Sequence, residues 1–168
     1  MSKSFFSSLL VIFCFMLLET AVLSNVTFLP AIPDFLMIIV LYLSLNNGPL
    51  IGETTGFVSG IMLDFLSGCP LGFNSLLRTT LGFIAGFFHN ILNVSSFFLQ
   101  ILYGTVATIV KAFLIFILSI FFKGVQPYPF FSFIFLTELL LNAIFTPLMF
   151  MFLNLFSDFL LIKPEKNI

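Results

Sequence analysis

The chain has 168 residues, of which 60% are hydrophobic and only 8% charged, with a net charge of −1 and a mean hydropathy of +1.22. So little polar surface cannot coat a water-soluble particle of this size, and no basic patch is present to hold nucleic acid, which leaves a polytopic protein of the lipid bilayer as the class. At ~20 residues per span the length holds about five or six membrane helices with short connections and no extramembrane domain.

In chain order, Lys3 and the apolar run Phe5–Leu18 resemble a signal sequence. Glu19 interrupts the end of that run and no small-x-small cleavage site follows, so an uncleaved first helix over 5–24 is expected. The polar, proline-bearing stretch 25–33 breaks it, and Asp34 is placed to cap a short second helix over 34–45. Asn46-Asn47-Gly48-Pro49 signals a turn before a third helix over 50–66, and Ser67-Gly68-Cys69-Pro70 separates that from a fourth over 71–92. Asn93 to Ser96 precedes a fifth helix over 97–122, and the segment from Lys123 to Pro129 precedes a sixth over 130–156. The expected fold is all-α, one integral membrane domain over 1–168 with about six transmembrane helices. Six spans put both termini on one side, and Lys3, Lys163 and Lys166 mark that side as cytoplasmic, with Lys123 the single exception.

Gly52, Gly56, Gly60 and Asp64 recur every fourth residue on the third helix. Lipid tails supply no hydrophobic drive to helix association, so a stripe of small residues that lets two backbones touch is the packing signature of membrane helices. Gly82 and Gly86 give the fourth helix a matching pair, and the tight turn between the two segments predicts that they pack together. Glu53 and Asp64 frame the stripe, one near each end.

Glu19, Arg78, Lys111 and Glu138 fall inside expected spans, where an isolated charge costs at least ~2.5–3.5 kcal/mol. They are expected to face one another or a polar cavity, with Glu19 or Glu138 paired to Arg78, whose guanidinium offers two parallel donors to a carboxylate. Arg78 also stands within reach of Asp64 or the polar groups around Asn74. Such a cluster reads either as a path for an ion or substrate or as an internal network that fixes helix packing; two acids and two bases can satisfy themselves, which favours the network.

His89 is the only histidine and is expected to hydrogen-bond at a helix end, since no partners for a metal site accompany it. Cys14 and Cys69 are read as idle thiols. No nucleophile elbow, phosphate-binding loop or zinc-protease motif occurs. The expectation is a protein that is not an enzyme and needs no cofactor or metal.

The order of parts from Pro33 to Gly86 carries a resemblance. Pro33-Asp34 opens a short helix, Gly48-Pro49 follows, then Gly52, Gly56-Phe57, Gly60, Asp64, Gly68, Gly72 and Asn74 at fixed intervals. This is similar to the MreD family of bacterial rod-shape-determining membrane proteins. The resemblance implies a six-helix fold like that of the substrate-binding subunits of energy-coupling-factor vitamin transporters, without transport. It implies a place in the inner, cytoplasmic membrane beside MreC, the actin-like MreB, the glycosyltransferase RodA and its penicillin-binding transpeptidase, directing lateral peptidoglycan synthesis. Positions that match the family pattern are Pro33, Asp34, Gly52, Gly56, Gly60, Asp64, Gly72 and Asn74, and no catalytic residue comes with it. The alternative is a vitamin-binding transporter subunit using a cavity near Arg78, Lys111 and Glu138, although the first helix offers few small residues to a coupling partner.

Overall fold

Ten successive residues of one short helix, Leu36 to Leu45, are buried on every side, so this apolar segment is the axis around which the rest is built. In the computed structural model, residues 2–21, 31–92, 94–122, 124–126, 128, 130 and 132–161 are described. They form α1 (Ser2–Ala21), α2 (Phe35–Asn47), α3 (Pro49–Ser67), α4 (Phe73–Phe87), α5 (Phe97–Phe121), α6 (Phe133–Asn154) and a single turn, α7 (Ser157–Leu160). The central helix α2 touches α1, α3, α4 and α6; α3 lies along α4, α5 along α6, and α7 against α1.

The caps explain most boundaries. Asp34 accepts from the Met37 amide at 2.8 Å and starts α2, while Gly48 ends it and Pro49 opens α3, where its missing N–H costs nothing. Gly68 closes α3 in the left-handed conformation, φ +66°. The fourth helix is shorter than the span 71–92 expected from hydropathy. It starts after Gly72 and stops at Phe87, because the chain turns there with Asn90 at φ +66°, a conformation asparagine tolerates better than most side chains. The sixth helix likewise begins at Phe133 rather than 130, capped by Ser132, and ends at Asn154 rather than 156, giving way to α7, which hydropathy alone did not separate. The first helix starts at Ser2, and residues 22–24 of its expected end lie outside the described residues, as do Lys123, Lys163 and Lys166.

Large apolar side chains cover the outside: Phe57, Phe65, Phe98, Phe113, Phe121 and Phe133 are all at least half exposed. Within the apolar interior lie Asp34, Asp64, Arg78, Thr108, Glu138 and Asn142. Apolar outside with charge inside is the arrangement a hydrocarbon solvent selects. Among the described residues, Phe97–Phe121 and Phe133–Asn154 are long and apolar enough to cross a bilayer by themselves, with Ser7–Thr20 and Phe35–Asn47 as shorter apolar helices.

Candidate functional site

The centre of the interior is Asp34. Its Oδ1 accepts from Arg78 Nη2 at 2.8 Å and its Oδ2 from Lys111 Nζ at 2.6 Å. Lys111 Nζ also donates to Glu138 Oε1 at 2.7 Å, and the Tyr128 hydroxyl donates to Glu138 Oε2. The start of α2 therefore meets α4 and α5 through one carboxylate, and Lys111 carries the network on to Glu138 of α6. Arg78 pairs with Asp34, not with Glu19 or Glu138, because the cap at the start of α2 faces the first turns of α4 and brings Asp34 nearer than either acid. Glu19 instead accepts from the Leu36 amide at 3.1 Å, reaching across from α1 to one of the free donors at the start of α2. Pro33, buried beside Asp34, accepts from the Phe35 amide.

A second polar ladder continues below. Asn142 Oδ1 accepts from the Asp34 amide at 2.9 Å, and Asn142 Nδ2 donates to Thr108 Oγ1 at 3.0 Å. Thr146 donates back to the Asn142 carbonyl at 2.6 Å. Beside this ladder Gly104 comes so close to Asn142 and Thr146 that a Cβ would collide with Thr146. None of Thr108, Tyr128, Asn142 and Thr146 was singled out from the sequence. The signal was present: Gly104, Thr108 and Lys111 share a face of α5, and Glu138, Asn142 and Thr146 recur every fourth residue on α6.

Asp64 has a separate task. Its Oδ2 accepts from the Gly72 amide at 2.9 Å and the Ser75 amide at 3.3 Å, and its Oδ1 accepts from Asn74 through both the backbone N at 2.9 Å and Nδ2 at 3.0 Å. A residue of α3 thus caps α4 across the Gly68–Gly72 turn, and Gly72 supplies the φ of +94° that the turn needs. Asp64 is 2% exposed and is neither solvated nor a partner of Arg78.

Between these polar groups α3 and α4 are at backbone contact. A Cβ at Gly52 would strike the Gly82 carbonyl, one at Gly56 the Arg78 carbonyl, one at Gly60 the backbone of Asn74 and Ser75, and one at Gly86 the backbone of Pro49. Close approach of this kind leaves no space for a side chain. His89 Nδ1 donates to the Leu45 carbonyl at 2.9 Å and ties the end of α4 to α2. Cys14 and Cys69 are free thiols, and no group of three metal-ligating side chains gathers among the described residues.

A polar cavity of about 370 Å³ opens beside the network, walled by Glu19, Asp34, Arg78, Lys111 and Glu138. Asp34, Arg78, Lys111 and Glu138 are held by one another and Glu19 by the Leu36 amide. An apolar exterior, interior charges that bind helix to helix and glycines that bring two backbones into contact together define a helical membrane protein whose interior is organised for packing.

The particular kind follows from comparison with known families. The chain belongs to the rod shape-determining protein MreD family, which it matches over residues 2–158, and is therefore a cell-shape-determining membrane protein. No curated protein and no solved structure gives a significant match. Nothing in these comparisons favours a vitamin-transporter subunit.

Proposed function

We propose that this protein is a noncatalytic scaffold of the bacterial elongation machinery, seated in the cytoplasmic membrane, where it binds MreC and helps hold RodA, its penicillin-binding transpeptidase and MreB at sites of lateral peptidoglycan synthesis. The observation that carries this reading is the family match across residues 2–158. In this reading α1 to α6 are six spans of a single domain with both termini cytoplasmic, in an arrangement like that of energy-coupling-factor substrate-binding subunits. The short helices α2 and α4 are tolerated at membrane depth because their ends open onto other protein segments and the polar cavity, not onto lipid.

The internal ion pairs support a structural role, since carboxylates that already accept from Arg78, Lys111, Tyr128 and backbone amides are committed to the fold. Depletion of the protein from its native cells is expected to convert rods into spheres and to scatter new wall insertion, read by pulse labelling of peptidoglycan. Rods that persist with normal side-wall labelling contradict the reading.

A further inference from the structure

Arg78 is more than nine-tenths buried, yet its Nε and Nη1 have no hydrogen-bond partner among the described residues. Only Nη2 is spent, on Asp34. Two unpaired guanidinium donors in a low-dielectric interior are costly and call for an acceptor. Arg78 forms part of the wall of two spaces. One is the polar cavity at the end of the bundle where α1 and α3 finish and α2, α4 and α6 begin. The other is a groove of about 270 Å³ between α2, α4 and α5, extending to Leu45, Phe88 and Leu102 and apolar apart from Arg78 and Tyr103.

The charge count of the polar cavity constrains its occupant. Glu19, Asp34 and Glu138 stand against Arg78 and Lys111, one more acid than base. A simple anion would satisfy Arg78 and aggravate that excess. Glu19 uses one carboxylate oxygen on the Leu36 amide, leaving the other to receive a cation. The complementary ligand carries an oxyanion and an ammonium together, and the apolar groove beyond Arg78 calls for a hydrocarbon chain attached to them.

We infer that these two spaces form one binding site for a zwitterionic phospholipid of the phosphatidylethanolamine class, with its phosphate on the free edge of Arg78, its ammonium at Glu19 and an acyl chain along the groove. The site goes beyond the scaffold reading and would stand without it. A bound lipid would fill the interior and complete the hydrogen bonding of Arg78.

The test is native mass spectrometry of the full chain in mild detergent, after incubation with phosphatidylethanolamine, phosphatidylglycerol or free phosphoethanolamine. One phosphatidylethanolamine per chain is expected, retained about tenfold better than phosphatidylglycerol. Arg78→Gln is expected to weaken that adduct about tenfold by removing the charged donors. Val106→Trp is expected to weaken it comparably by filling the groove, and Glu19→Gln to abolish the preference between the two lipids. Val106 is 49% exposed, so its replacement leaves the packed interior intact, and it carries the test with Glu19→Gln if Arg78→Gln does not fold. Equal retention of both lipids by the wild type, an adduct indifferent to Val106→Trp, a preference that survives Glu19→Gln, or free phosphoethanolamine bound as well as the lipid would each overturn the inference.

Discussion

Asp34 does three jobs with two oxygens: it caps α2 through Met37, holds Arg78 and holds Lys111. Its neighbour Lys111 gives the sharper experiment. Lys111→Met strands Glu138 with only Tyr128 and is expected to cost ~3–5 kcal/mol, the usual penalty for removing one side of a buried pair, while Asp34 keeps Arg78. In a thermal unfolding measurement in detergent the single variant should melt about 10 °C below wild type. The double variant Lys111→Met/Glu138→Leu should recover about half of that loss, because an apolar pair replaces the ionic one; a double variant no better than the single one contradicts the pairing. Arg78, Lys111 and Glu138 stand out in the sequence because hydrocarbon tolerates so few charges. Their pairing does not: Asp34 lies 44 residues from Arg78 and 77 from Lys111. At the start of its helix Asp34 reads in sequence as a cap and a family-pattern position, and nothing local marks it as a counter-ion.

The α3–α4 pair is set by glycines at backbone contact and by the Asp64 cap across the intervening turn. Gly56→Leu drives a side chain into the Arg78 carbonyl and is expected to prevent the two helices from closing, read as loss of the monodisperse peak in size-exclusion chromatography and loss of MreC co-purification. Gly68→Ala is the control. Nothing lies within 4 Å of its added methyl, so only the strain of φ +66° is paid, about 1–2 kcal/mol, and the protein should stay folded. Normal assembly by Gly56→Leu at normal expression would remove the packing argument. A period of four is readable in sequence when the residues are glycines, since few other roles explain such a run. The α5–α6 contact has the same period but is written in Gly104, Thr108, Asn142 and Thr146, a mixture that sequence alone does not distinguish from scattered polar residues. The early end of α4 escaped notice for a related reason. Hydropathy stays high through Ile91 and Leu92, whereas the helix is stopped by backbone geometry at Asn90.

At the scale of the whole molecule, solvent decides the distribution of residues. Many phenylalanines face outward while Asp34, Asp64, Arg78 and Glu138 are buried, a distribution that agrees with the membrane class indicated by composition. Orientation and partners were less legible, because only a few lysines near the termini bear on the first and no surface motif bears on the second. The family match over residues 2–158 places the protein in cell-shape determination; its ion pairs tie the start of α2 to α4 and α5, and α5 to α6, and the proposed scaffold would offer this bundle to partner helices. That claim is tested most directly by purifying the tagged protein from its native cells in mild detergent and identifying what accompanies it by mass spectrometry. Stoichiometric MreC with the RodA synthase is the predicted result. Recovery of a coupling transmembrane subunit with paired ATPases, and no MreC, would contradict the scaffold account.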